Sequence, residues 1–131
     1  MILLDTHALA WLVAQPERLS RAAASAIRRA RVSDGLALSD ISLWELALLF
    51  SRGVLRSPGT VESIVGDFVA NSGVNIRPIT PEIAALATQF PHDFPRDPAD
   101  RIIAATARAE GMTLVTGDER IRENPWLKTI W

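Results

Sequence analysis

Met1-Ile-Leu-Leu-Asp-Thr-His7 is the stretch that decides the fold, because the apolar run Ile2, Leu3, Leu4 stops abruptly on Asp5, Thr6 and His7. A short apolar run ended by polar residues reads as a buried strand that delivers a side chain to its own carboxyl end. In open α/β sheets, ligands bind in the crevice beyond the carboxyl ends of the strands, where helices leave for opposite faces. Asp5 is therefore the reference point for every other acid. A plainer role is open as well: Asp5 or Thr6 caps the helix signalled by Ala8, Leu9, Trp11 and Leu12, since both accept hydrogen bonds from free helical N–H groups. Whether further acids arrive at the same place decides between the two.

The same grammar recurs along the chain. Leu36, Ala37 and Leu38 run into Ser39 and Asp40 as a second strand, and residues 113–116 form a fourth that ends at Gly117 and Asp118. Residues 74–79 read as a third strand, placed near an edge because Pro78 supplies no ladder donor. Residues 129–131 suggest a last short edge strand. Helical signals fill the gaps. Leu19 and Ser20 form a staple and N-cap for a helix to about residue 31, and a helical period runs from Ile41 to Arg52 with Gly53 placed to stop it. Thr60 caps a helix that ends at Gly73, Thr80 and Pro81 start one reaching Phe90, and Asp97 and Pro98 start one ending at Gly111. Strands alternating with helices predict a three-layer α/β/α sandwich around a mostly parallel sheet of four to five strands, with residues 1–131 as one domain.

Composition narrows the chemistry. With 48% hydrophobic and 22% charged residues the chain has the profile of a globular core, and it contains no apolar run long enough to span a membrane and no basic-flanked leader. A cytoplasmic location is the expectation. Without cysteine, and with His7 and His92 the only imidazoles, a metal site would be built from oxygen ligands. The formal charge of −1 argues against a protein that holds nucleic acid by overall positive charge. The densest basic stretch, Arg28, Arg29 and Arg31 with Arg18 and Arg21 upstream, flanks an apolar stripe of Ala22, Ala23, Ala26, Ile27 and Ala30, as a solvated helix face would, although contact with RNA is also open to it.

Glu45 is the most informative acid. Ile41 lies four positions before it and Leu48 and Leu49 three and four after, so apolar residues share its face. A carboxylate there is costly unless protonated, paired or bound to a cation. Asp100 repeats this beside Ile103 and Ala104, although a place near a helix N-terminus also suits an acid. Asp97 fits an N-cap, and Asp118 is either a cap or a further acid at the sheet edge. Converging carboxylates repel one another unless divalent cations supply positive charge, and such a pocket suits phosphoryl chemistry with Mg²⁺ or Mn²⁺. Thr6 and Ser39 carry hydroxyls that either join the ligands or orient bound water.

Four segments in this order resemble a known pattern: MILLDTHALAWL (1–12), SDISLWELALLFSRGVL (39–55), DPADRIIAATA (97–107) and LVTGDERI (114–121). Together they resemble the PIN-domain family and, within it, the VapC-type toxins of toxin–antitoxin modules. The resemblance implies that Asp5, Glu45 and Asp100 are the three most regular acids of the site and Asp118 its more variable fourth, with Asp97 supporting the third. It further implies Mg²⁺- or Mn²⁺-dependent endonucleolytic cleavage of RNA to a 5′-phosphate and a 3′-hydroxyl, a homodimer, and a small VapB-like antitoxin as partner. His7 stands where such proteins often carry a small polar residue. A rival reading is a catalytically silent module that binds RNA or the antitoxin. A phosphatase on another doubly wound fold is a further rival, but its usual second acid, two residues after the nucleophile, is replaced here by His7. Trp11 and Trp44 are expected in the core, and Trp126 and Trp131 over a sheet edge or a partner surface.

Overall fold

The structure, a computed structural model, describes all 131 residues. Strands β1 (Ile2–Leu4), β2 (Leu36–Ser39), β3 (Asn75–Arg77), β4 (Thr113–Val115) and β5 (Thr129–Ile130) form one sheet in the order β3-β2-β1-β4-β5. Every pairing is parallel, so β1, the strand that bears Asp5, is central. Leu3 lies between Ala37 and Leu114 in the ladders, and Leu4 between Leu38 and Val115. Because successive side chains point to opposite faces, these two rows seed two separate cores.

On one face, Leu3, Ala37 and Leu114 pack with Ile83 of α5 (Pro81–Ala87), Ile103 and Ala104 of α6 (Pro98–Glu110), and Ile121 of α7 (Glu119–Arg122). On the other, Leu4, Leu38 and Val115 pack with Leu9 of α1 (Thr6–Ala14) and Ile27 of α2 (Arg21–Arg31). Leu46 of α3 (Ile41–Ser51) and Phe68 of α4 (Val61–Ser72) complete that second core. This is the three-layer sandwich expected from the alternation of elements. No helix is long and apolar enough to cross a membrane.

Local chemistry sets the element ends. Ser20, Thr60 and Thr80 cap α2, α4 and α5 by accepting from the N–H groups of Ala23, Ser63 and Ile83. α4 and α6 stop at Gly73 and Gly111, whose φ angles of 71° and 65° lie in the left-handed region open to glycine. β3 is an edge strand whose ladder stops at Arg77, one residue before Pro78.

Two expectations need correction. α5 ends at Ala87 rather than reaching Phe90, because Thr88 folds back on Ala85 through its N–H and its hydroxyl; Phe90 enters the core from the following turn and stacks on Phe94 with ring centroids 4.4 Å apart. Neither Trp11 nor Trp44 is core: Trp44 is 58% exposed, and Trp11 is half-buried between two hollows. α3 is apolar nearly all round, so periodicity alone does not tell its inner face from its outer one. A 3₁₀ turn at Pro16–Arg18, led by its proline, joins α1 to α2.

Candidate active site

Asp5 leaves the carboxyl end of β1 with its backbone N–H donating to the Val115 carbonyl at 3.0 Å, which continues the β1–β4 ladder and fixes the residue at the sheet edge. Its Oδ1 accepts from the Ala8 N–H at 2.7 Å, so Asp5 caps α1 and still presents a carboxylate beyond the strand. The cap is formed, and the same residue stands at the carboxyl end of the strand, so the two readings do not exclude one another. Asp97 and Asp118 repeat the arrangement: Asp97 Oδ1 accepts from Ala99 N–H at 2.8 Å at the start of α6, and Asp118 Oδ1 from Arg120 N–H at 2.9 Å at the start of α7. Each cap uses one carboxylate oxygen, and Asp5 takes a further hydrogen bond from Thr116.

Asp5, Glu45, Asp97, Asp100 and Asp118 line one cleft of about 330 Å³, together with His7, Trp11, Gly117 and Ile121. Glu45 is half-buried on α3 and shares a second hollow, of about 560 Å³, with Ile41, Trp44, Leu48, Leu49 and Arg52. Its Oε1 accepts a short hydrogen bond from the Thr6 hydroxyl, and Thr6 Oγ1 lies 2.9 Å from Ser42 Oγ. Thr6 carries one hydroxyl proton, so ionised Glu45 takes it and the Ser42 hydroxyl donates to Thr6 in turn. Ser42 was not singled out in the sequence; the available signal was its place one helical turn before Glu45. Ser39 lies outside the cleft, fully buried, and its Oγ accepts from Ile41 N–H at 3.3 Å at the head of α3. Arg28, Arg29 and Arg31 are exposed on α2 and none lines the acid cleft; Arg31 ties α2 to α4 through the Ser72 carbonyl at 3.2 Å. His92 sits on an exposed loop away from the cleft.

The acids feel one another. Burial raises the pKa of Asp5, opposed by hydrogen bonds from Thr116 and the Ala8 N–H and by His7, with Asp118 pushing it further up. Burial likewise raises that of Glu45, opposed by the Thr6 hydrogen bond and reinforced by Asp97 and Asp5. Asp100 is pushed up to about 7, first by burial and then by repulsion from Asp97, Glu45, Asp118 and Asp5. Arg120 offers partial compensation, its Nε 4.0 Å from Asp118 on an exposed side chain. An oxygen-only donor set with excess negative charge fits a hard divalent cation. It is not a ready cage: no group of three or more acidic or histidine side chains is placed to hold a metal ion.

The family model described as the PIN domain matches residues 2–127. The chain belongs to the PIN-domain family. Among curated proteins, this PIN domain is 42% identical to Ribonuclease VapC22 of Mycobacterium tuberculosis (strain ATCC 25618 / H37Rv), over 99% of the chain and 98% of the relative. Its fold is shared with VapBC2 from Rickettsia felis bound to a DNA fragment from their promoter, at a TM-score of 0.71 and 20% identity over 98% of this chain and 97% of that one. DNA-bound VapBC from Salmonella typhimurium matches with a TM-score of 0.70 and 19% identity, covering 98% of this chain and 97% of that one. FitAcB from Neisseria gonorrhoeae matches at 0.67 and 23%, covering 98% and 96%.

Proposed function

We propose that this PIN domain is a divalent-metal-dependent endoribonuclease, the toxin of a toxin–antitoxin pair. The observation that carries the reading is the convergence of Asp5, Glu45, Asp100 and Asp118 from four separate elements on one cleft at the carboxyl end of the sheet. The relative at 42% identity is a ribonuclease by name, and the proteins that share the fold are VapBC and FitAcB.

Asp5, Glu45, Asp100 and Asp118 would hold Mg²⁺ or Mn²⁺. When bound, the cation supplies positive charge at the phosphodiester and acidifies water for attack. The chain's own part is positioning. The caps hold Asp5 and Asp118 at the cleft, Thr6 orients Glu45 with support from Ser42, and Asp97 fixes the first turn of α6 that bears Asp100. His7, exposed at the mouth, partly offsets the negative charge on Asp5 and Glu45. A VapB-like antitoxin and a second copy of the chain are the partners in this reading, and the exposed Val13, Trp44 and Val54 offer apolar surface for them to cover. The absence of a preformed ligand cage favours a second reading, a silent module that binds RNA or antitoxin without cutting.

Incubating the purified chain with a cellular RNA pool and Mn²⁺ or Mg²⁺, beside EDTA and Asp5→Asn controls, separates the two. The nuclease reading expects discrete products that need both metal and the native acid. Products that persist in EDTA or with Asp5→Asn count against the site. Intact RNA that is nevertheless retained by the protein supports the silent module.

A further inference from the structure

Beside the acid cleft lies a hollow of about 350 Å³, and the two share His7 and Trp11. We propose that this hollow, bounded by His7, Trp11, Gln15, Arg18, Leu49 and Leu55, is a subsite for one unpaired base of the RNA whose phosphodiester crosses the acids. The inference rests on the ribonuclease reading for its substrate class and adds the contact that holds it.

Charge cannot do the holding. The chain carries a net −1, and the cleft where the phosphate must sit is lined by five acids, so apart from a bound cation the protein offers little of the electrostatic attraction that usually dominates binding to RNA. Stacking of bases on aromatic rings and guanidinium planes is the main alternative, and it requires bases that are not paired. The hollow holds both groups in one stack. The Arg18 guanidinium covers the Trp11 ring 4.5 Å from its centre, so a base stacks on the guanidinium plane or displaces it from the indole, and His7 lies 6.0 Å from Trp11. Trp131, 5.5 Å from Trp11, backs the platform. Gly117 suits that backing: a Cβ there would stand 3.0 Å from the Trp131 indole, tight enough that the ring would have to give by a few tenths of an ångström.

The rim suits a base edge. Gln15 closes α1 and Pro16 opens the 3₁₀ turn that ends at Arg18, which brings the two side chains together. Arg18 Nη1 donates to Gln15 Oε1 across 3.4 Å, an exposed and long hydrogen bond that is readily exchanged for one to a base. Gln15 offers both a donor and an acceptor, Arg18 only donors. Leu49 and Leu55 supply the apolar floor.

The test uses the full chain in EDTA, where nothing is cut, and fluorescence anisotropy of a short single-stranded RNA of mixed sequence, with the same strand in a duplex alongside. Trp11→Ala is expected to weaken single-strand binding roughly five- to a hundredfold, the range for loss of one stacked base. Trp11→Phe should stay near wild type, Arg18→Ala should fall between them, and the duplex should bind more weakly than the single strand. In turnover with Mn²⁺, Trp11→Ala should raise KM more than it lowers kcat. Should Trp11→Ala lose its fold, Arg18→Ala and Trp11→Phe carry the test. Single-strand affinity unchanged in folded Trp11→Ala and in Arg18→Ala overturns the proposal. So does a wild-type chain that binds no single-stranded RNA. If wild type fails to cut RNA with metal but Trp11→Ala still loses single-strand binding, the nuclease reading fails and the subsite stands.

Discussion

Thr6 shows how one hydroxyl serves two buried partners. It is 2% exposed, donates to Glu45 and lies against the fully buried Ser42. Thr6→Val keeps the shape and removes the hydroxyl, leaving Ser42 without its partner and Glu45 free to turn. Loss of about 1–3 kcal/mol of stability is expected for the stranded polar group, together with a marked fall in RNA cleavage. Thr6→Ser should retain most of both. Urea melts and initial rates on the same preparations check it, and cleavage undiminished in Thr6→Val would remove Thr6 from the positioning of Glu45. In the sequence Thr6 read as a hydroxyl for a ligand or a bound water, because nothing there shows that Glu45, 39 residues on, lies within reach. Asp5 is more legible: a polar stop after an apolar run offers either a cap or an acid at the sheet's carboxyl end, and the residue caps α1 from that position.

At the level of elements, the N-terminus of α6 sets two acids in opposition. Asp97 caps the helix through Ala99 N–H, yet its charge is the largest of those that raise the pKa of Asp100. The two effects separate by mutation. Asp97→Ala loses the cap and should cost about 1 kcal/mol in a denaturation midpoint. Asp97→Asn keeps a good cap and removes the charge, so stability at neutral pH should hold or rise while Asp100 titrates at lower pH. Carboxyl chemical shifts followed against pH read Asp100 directly; an unmoved titration would deny the coupling. Caps and strand stops were legible because each is decided within a few residues. The outward turn of Trp44 was not, since α3 offers apolar residues on every side and only contact with the sheet and α4 selects the buried ones. The early end of α5 was hidden for a similar reason: Phe90 reads as the next helical apolar position but reaches the core from a turn.

For the whole molecule, the order β3-β2-β1-β4-β5 is what gathers scattered acids in one cleft, because it puts β1 and β4 side by side and so brings Asp5 next to Asp118 at the shared carboxyl edge. Alternating strands and helices implied a parallel sheet, but strand order depends on long-range crossovers that no local pattern records. Bringing the acids together has a pH-dependent consequence. Asp100 has a folded pKa of about 7 against an ordinary value of 3.8, so the folded chain binds more protons than the unfolded one between those values. Stability then falls as pH rises through that window: the contribution is fully present below the unfolded pKa and is lost as pH passes about 7. Asp5 and Glu45, whose pKa values are also raised by burial, act in the same direction. A metal-free chain should therefore melt at progressively lower temperature as pH is raised from about 4 to 8, and Asp100→Asn should flatten the decline. Mn²⁺ or Mg²⁺ should restore the loss at the alkaline end, where the carboxylates are ionised and free to bind, and do little at the acid end, where protons compete. Thermal melts across pH, with EDTA and with metal, measure all three expectations. A metal-induced rise equal at both ends of the range would place the cation away from these acids.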